Sequence, residues 1–134
     1  MKSKISTAIK LAGLWTTLML LYIYCDIYAT FRTGFLEEAM AGKMGSFEVS
    51  QLSLALAGAL MIIPALMITA NLFLKQKAAK WANIIISGLY TLVNIGNLMS
   101  EAWTYYWLYG LCEIFVTAMI IIVATKWKED ATNG

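Results

Sequence analysis

The chain has 134 residues, of which 60% are hydrophobic and 13% are charged, and its mean hydropathy is +0.70. Too few polar side chains remain to solvate an ordinary soluble domain, and the apolar runs take up so much of the chain that no soluble catalytic domain fits beside them. The net charge of +2 does not indicate nucleic-acid binding, because the basic residues cluster at the ends of the apolar runs.

Four apolar runs predict four transmembrane helices. Each run has about 20 residues or more, which at about 1.5 Å per residue crosses a bilayer core of about 30 Å. We therefore predict an all-α, four-helix bundle that forms a single integral membrane domain over residues 1–134. The predicted spans are 9–31, 49–74, 81–100 and 104–126, and the outer loop is 32–48.

The basic residues predict the orientation of the bundle. Positive charge near the end of a span resists translocation, so the side that carries more lysine and arginine faces the cytoplasm. Only Arg32 and Lys43 lie on one side of the predicted bundle. The other side, which has eight basic residues and both termini, therefore faces the cytoplasm. The other eight are Lys2, Lys4, Lys10, Lys75, Lys77, Lys80, Lys126 and Lys128.

The outer loop contains a short stretch between glycines. Gly34 precedes residues 35–41, and Gly42 and Gly45 follow them, so we expect a short amphipathic segment at the membrane surface. Ser46 is the expected N-cap of the second span.

Pro64 is the only proline and lies inside the second span. Proline donates no backbone hydrogen bond and clashes with the carbonyl one turn earlier, which is that of Leu60. We expect a kink, with the freed carbonyl satisfied by a neighbouring helix or hydroxyl.

Polar residues in the third span recur at steps of four, three, four, three and four. This spacing places them on one face of a helix, and lipid cannot form hydrogen bonds with that face. The face therefore points towards protein or trapped water. Its members are Asn83, Ser87, Tyr90, Asn94, Asn97 and Glu101.

Depth predicts where this polar face meets the acids of the other spans. Counted from the cytoplasmic side, Asp26, Asn94 and Glu113 lie roughly 24, 21 and 20 Å along their helices, and thus in one layer. We expect a ligand-binding site in the outer half of the bundle, with Glu113 protonated because two ionised carboxylates would repel each other. The expected site residues are Tyr22, Asp26, Asn94, Asn97, Tyr109 and Glu113, with Glu101 and Tyr106 at its mouth.

Catalytic patterns are nearly absent from the sequence. The chain has no histidine, which removes the usual general base and most metal chemistry. Cys25 and Cys112 stand in different spans at similar estimated depths, so a bridge is conceivable, but adjacent small buried thiols are expected in preference to it. We expect no cofactor, no metal and no catalytic residue, although intramembrane hydrolysis by Asp26 and Glu113 stays open.

Several segments together resemble an uncharacterised family of small four-span bacterial membrane proteins. The resemblance extends over almost the whole chain and implies the same topology, in the bacterial cytoplasmic (inner) membrane, without implying an activity. The segments are LYIYCDIY (21–28), GFLEEAMAGKMG (34–45), IPALMI (63–68), KWANIIISG (80–88) and the acid at Glu113.

Two functional hypotheses follow from these features. In the first, the protein binds or transports a small cationic or lipophilic solute through the acidic site, with aromatic and amide side chains as its walls. In the second, it is a structural or accessory subunit whose polar helix face docks the helices of a partner. Beyond the lipid bilayer, we expect a homo-oligomer, because four short spans enclose little volume.

Overall fold

The structure is a computed structural model that describes residues 4–128 and consists mainly of four long helices. Each of the four is long and apolar enough to cross a membrane. The predicted bounds agree to within two residues, except that the third span begins at Gln76. The long helices are α1 (Thr7–Ala29), α3 (Gln51–Phe73), α4 (Gln76–Met99) and α5 (Thr104–Thr125), and the loop between α1 and α3 contains α2 (Phe35–Met40) and the strands β1 (Lys43–Met44) and β2 (Phe47–Glu48).

The helices form a ring in the order α1, α3, α4, α5, because each packs against the next and α5 packs against α1. Neighbours are antiparallel, as short connections require. We call the end formed by residues 4–10, 74–80 and 126–128 the lysine-rich end, and the end formed by residues 30–50 and 100–103 the loop end. Lys2, which we counted with the lysine-rich end, lies outside the described residues.

Serine caps explain where two of the helices begin. The Ser6 hydroxyl accepts the backbone N–H of Ile9 at 3.3 Å and starts α1. At α3, the Ser50 hydroxyl accepts the N–H of Ser53 at 3.0 Å, and the Ser53 hydroxyl accepts the N–H of Ser50 at 2.8 Å. The expected cap, Ser46, lies instead in the turn between β1 and β2, because this unforeseen hairpin delays the start of α3.

The short helix and the hairpin of the loop depend on its glycines. Gly34, Gly42 and Gly45 all have positive φ, at 83°, 84° and 61°, which side chains other than that of glycine rarely adopt. The first of them begins α2, and the third lies in the turn between β1 and β2. The expected short segment between glycines is thus a helix of six residues.

The apolar core lies in the half of the bundle near the lysine-rich end. Leu11, Leu18 and Ile120 are fully enclosed, and Trp15 packs among them. By contrast, residues 51–60 of α3 are exposed except for Ser53. The bundle is therefore closed at the lysine-rich end and looser at the loop end.

An amide cluster joins three helices within this closed half. Asn71 of α3 and Asn83 of α4 each donate a side-chain hydrogen bond to the other's Oδ1, at 3.3 and 2.6 Å. The indole N–H of Trp15 on α1 donates to the same Asn83 Oδ1 at 2.7 Å. Because each amide also donates to the carbonyl four residues earlier, these buried polar groups are satisfied without water.

The carbonyl that Pro64 frees in α3 is satisfied by a neighbouring hydroxyl, as predicted; the kink stays a prediction. Pro64 cannot donate to Leu60, and the hydroxyl of Tyr90 on α4 donates to the Leu60 carbonyl instead. The tyrosine ring is also packed edge-on against Trp15, with 6.5 Å between the ring centroids. Tyr90 thus repairs the backbone of α3 while it fixes the position of α4.

Close packing of α4 on α5 requires a glycine at one position. A Cβ atom at Gly110 would lie 2.3 Å from Cδ2 and 2.7 Å from Cγ of Leu98, which is closer than such atoms approach. The absence of a side chain lets the two helices meet near the loop end.

Replacement of Tyr90 by phenylalanine tests the repair of α3. We expect Tyr90→Phe to lower the free energy of unfolding by about 1 kcal/mol, since the Leu60 carbonyl loses its donor. Pro64→Ala supplies a backbone N–H at that position, so Tyr90→Phe should cost less in the Pro64→Ala background. Denaturant unfolding in mixed micelles measures all four proteins, and an equal cost in both backgrounds would contradict the assignment.

Candidate functional site

A polar cavity of about 90 Å³ lies among the long helices in the half of the bundle near the loop end. Side chains from α1, α4 and α5 form its polar walls, and α3 contributes apolar side chains beside Pro64. Its lining consists of Tyr22, Cys25, Asp26, Leu60, Met61, Tyr90, Val93, Asn94, Asn97, Tyr106 and Glu113.

The amide of Asn94 is the most constrained group in this wall. Asn94 is 2% exposed, and its Oδ1 accepts the hydroxyl of Tyr22 at 2.8 Å. Among residues 4–128, its Nδ2 is the buried side-chain nitrogen or oxygen atom that has no hydrogen-bond partner. An unsatisfied buried donor is costly and rare, so Asn94 brings to the cavity wall an amide that the described residues do not fully satisfy.

Two carboxyl groups line the same cavity. Glu113 is 7% exposed, whereas Asp26 is exposed and borders the solvent at the loop end. Within the described part of the chain, neither carboxyl group has a hydrogen-bond or ion-pair partner; the basic side chain nearest in sequence to Asp26, Arg32, is bound to Glu101. The cavity therefore combines two uncompensated acids with one free amide donor.

The polar face of α4 continues below the cavity, where every group is satisfied. Ser87 donates to the carbonyl of Thr117 at 2.7 Å, and Thr91 lies 2.8 Å from the hydroxyl of the same threonine. The amide cluster of Asn71 and Asn83 follows towards the lysine-rich end. The cavity is thus closed on that side by a packed, fully bonded layer.

Most of the residues that we predicted for the site line this cavity or its entrance. Tyr22, Asp26, Asn94 and Glu113 lie in the wall as expected, and Asn97 lies there although it is exposed. Binding of a ligand by them stays a prediction.

Tyr109 is the predicted site residue that does not line the cavity. Its ring lies against Tyr28, with 6.1 Å between the ring centroids. The buried face of α5 passes through Gly110 and Glu113. Tyr109 lies about 100° from the first and about 40° from the second around the helix, so it is at the edge of that face, on the side of Tyr28.

A wider vestibule of about 400 Å³ lies outside the cavity, at the loop end. Asp26 and Tyr106 line both spaces, so the two are adjacent. The vestibule contains three acidic side chains, Asp26, Glu38 and Glu101, and one basic side chain, Arg32. Glu101 and Tyr106 thus lie at the mouth, where we expected them.

Arg32 and Glu101 form a clasp across the vestibule. The guanidinium donates to both carboxylate oxygens, at 3.0 and 3.1 Å, and lies 4.8 Å from the centroid of the Trp103 ring. Burial alone would raise the pKa of Glu101, but the hydrogen bonds and charge of Arg32, with the N–H of Ala102, lower it below the ordinary value. Sequence reasoning missed this pair.

The two thiols are separate. Cys25 is buried and lines the cavity, whereas Cys112 is exposed on the outer surface of α5. Both thiols are free, as expected, but the expectation that both are buried is wrong for Cys112, which lies on the outer surface of α5. Among the described residues, no group of three or more His, Cys, Asp or Glu side chains is placed to hold a metal ion.

Comparison with known proteins gives one match. A protein family described as "Family of unknown function (DUF6326)" matches residues 4–133, which is nearly the whole chain and agrees with the resemblance to an uncharacterised family. No curated protein and no solved structure matches the chain.

Acid should weaken the clasp of Arg32 and Glu101. Since the pKa of Glu101 is lowered in the folded protein, its stabilising effect is complete above the ordinary glutamate value of about 4.3 and is lost as the pH falls through the lower, folded value. We expect Glu101→Gln to unfold more easily than the wild type at pH 7, by about 0.5–1 kcal/mol because the pair is partly solvated. The difference should shrink towards pH 3.

Thermal unfolding at both pH values measures this difference. Glu37→Gln removes an exposed acid at the same end of the bundle and is the matched control. A Glu101→Gln deficit that stays constant from pH 7 to pH 3 would contradict the account.

Proposed function

This chain belongs to the DUF6326 family, and we propose its function from the site alone. The family cannot indicate the activity, because its own function is unknown. The proposal is that the protein is a multi-pass membrane protein that binds a small cation in the polar cavity. The observation that carries it is the presence of two uncompensated carboxyl groups and the incompletely bonded amide of Asn94 in the lining of one cavity.

The membrane assignment and the orientation are part of the proposal. The four long helices have mean hydropathies of 1.3 to 2.2 in their most apolar windows, and the described lysines other than Lys43 lie at or near the lysine-rich end. We infer that this end faces the cytoplasm of a bacterial inner membrane and that the vestibule opens outward. The solute then enters from the outer aqueous side.

Electrostatics favours a cation over an anion or an uncharged lipophilic molecule. Glu101 neutralises Arg32, so Asp26 and Glu38 leave the vestibule with an excess of negative charge. Low-dielectric walls focus such a field and raise the local concentration of cations. Inside the cavity, carboxylate oxygens accept the N–H groups of an ammonium ion, and aromatic rings such as those of Tyr22 and Tyr106 attract its charge.

The volume of the cavity limits the size of the solute. A water molecule occupies about 30 Å³ of liquid volume, so a cavity of about 90 Å³ holds a few waters or a cation of a few heavy atoms. Sites for drug-sized ligands are several times larger. We therefore restrict the solute hypothesis to small cations such as ammonium or methylammonium, with a water or hydroxyl oxygen accepting the bond from Asn94.

Transport would require a second conformation. Towards the lysine-rich end, the bonded amide cluster and the enclosed side chains of Leu18 and Ile120 leave no continuous path. The cavity adjoins the vestibule at the loop end, with which it shares Asp26 and Tyr106. Binding is thus the function that the geometry supports, and any movement across the membrane would need the closed half to open.

The alternative is an accessory subunit that docks other helices. One observation favours it: residues 51–60 of α3 are exposed apart from Ser53 and offer a small-residue surface that includes Gly58. The part of the α4 polar face from Asn83 to Tyr90, which the docking hypothesis would need, is bonded within its own bundle. A second copy on α3 would make the homo-oligomer that we expected, and cross-linking in membranes tests for it.

Thermal stability in detergent at pH 8 tests cation binding. We expect methylammonium to raise the melting temperature of the wild type, because a ligand that binds only the folded state stabilises it. Tetraethylammonium, which is too large for the cavity, should have no effect. At pH 5 the methylammonium effect should diminish, because protons compete for the carboxylates.

Two variants and one control complete this experiment. Asp26→Asn and Glu113→Gln should each reduce the methylammonium effect, and Glu37→Gln, which alters an exposed acid of the loop, should not. An unchanged effect in the variant that carries both substitutions would contradict the proposal. So would an equal effect of sodium chloride at the same ionic strength, which would indicate screening alone.

A further inference from the structure

A second cleft, of about 680 Å³, lies at the lysine-rich end, on the far side of the closed half from the polar cavity. Residues from the start of α1, the α3–α4 connection and the end of α5 line it. We call it the lysine cleft. Its cationic members are Lys75, Lys126 and Lys128, and among the described residues no acid lines it.

The charges converge on this cleft for a structural reason. Lys75 is the N-cap of α4, and no side chain caps that helix, so the positive end of the helix dipole adds to the field of the lysine. The hydroxyls of Ser6 and Thr7 at the start of α1 lie in the same wall. Hydroxyl, ammonium and helix N-terminus are all groups that bind phosphate oxygens.

A further lysine fixes the segment that carries the other two charges. Lys80 donates its Nζ hydrogen bond to the carbonyl of Trp127 at 3.0 Å. This bond joins α4 to the residue between Lys126 and Lys128, so the segment is attached to the bundle. The indole of Trp127 also lines the cleft, and tryptophan is enriched at the interface between membrane and water.

The lining is amphipathic, which distinguishes a lipid from a free anion. Leu72 and Leu74 line the cleft and are about half exposed, at 52% and 48%. They continue the apolar surface of α3, where Phe73 is 84% exposed. A ligand with a negatively charged headgroup and an acyl chain matches both parts of this surface, whereas inorganic phosphate matches only the first.

We propose that the lysine cleft is a binding site for the headgroup of an acidic phospholipid. The phosphodiester lies between Lys75, Lys126 and Lys128, and the acyl chains follow the leucines of α3. The site is independent of the cation site, because it lies at the other end of the bundle and shares no lining residue with the polar cavity.

Native mass spectrometry of the full chain in neutral detergent tests this proposal. The probes are dioleoyl phosphatidylglycerol and dioleoyl phosphatidylcholine, which have the same acyl chains and differ in net charge. We expect the first to bind at least about tenfold more tightly than the second, because each lysine near an anionic headgroup contributes to binding. Equal binding of the two lipids would overturn the proposal.

A charge-matched pair of variants locates the site. The cleft variant combines Lys75→Gln, Lys126→Gln and Lys128→Gln, and we expect it to lose most of the preference for phosphatidylglycerol. The control variant also loses three charges, through Lys4→Gln, Lys10→Gln and Lys43→Gln, none of which lines the cleft; it should retain the preference to within about twofold. Equal losses in both variants would show an effect of net charge and overturn the proposal.

Two further measurements are needed. The first distinguishes loss of the site from misfolding of the variant, and the second distinguishes a lipid site from a site for free phosphate. Replacement of the three cleft lysines by arginine keeps the charge and should retain the preference, which shows that a loss in the glutamine variant does not come from misfolding. Inorganic phosphate at millimolar concentration should not displace the bound lipid. Displacement at that concentration would indicate a site for a free anion and overturn the assignment to lipid.

Discussion

The arrangement of this bundle depends on one constraint: in the membrane that we propose for it, polar groups inside long apolar helices have to find their partners within the protein, because hydrocarbon offers none. The face of α4 shows the result. Asn83 bonds with Trp15 and Asn71, Ser87 bonds with α5, and Tyr90 supplies the donor that Pro64 removes from α3. The pattern is interrupted at Asn94, where one donor has no protein partner and the cavity begins.

Much of the fold was predictable because a membrane span is defined by the average property of about 20 residues, which tolerates errors at single positions. The carbonyl released by Pro64 was predictable because the geometry of proline fixes its position. The position of Ser46 in a turn was not predictable, because the loop hairpin has only two residues in each strand and carries almost no sequence signal. Ser50 is the cap because the hairpin occupies the residues before it and delays the start of α3.

The site was predictable where helical periodicity decides it, and not where tertiary packing does. Spacing placed Asn94 on the inner face of α4, and depth placed Asp26 and Glu113 in the same layer, where the structure also has them. Tyr109 lies four positions before Glu113 and only about 40° from it around the helix, so periodicity placed it at the site, whereas packing puts its ring against Tyr28 of α1. The clasp of Arg32 and Glu101 joins residues 69 positions apart, and sequence patterns do not predict contacts at that separation.

The proposed cation site requires that water reaches the cavity within the proposed membrane bundle, and the two native cysteines test this requirement directly. Cys25 lines the cavity, and Cys112 lies on the outer, apolar surface of α5 at a similar depth. The measurement is the rate at which a small cationic methanethiosulfonate, added to protein in lipid nanodiscs, modifies each thiol. We expect modification of the Cys112→Ala protein, which retains Cys25, and little in the Cys25→Ala protein. The reverse order, or equal rates, would contradict a water-filled cavity at this position.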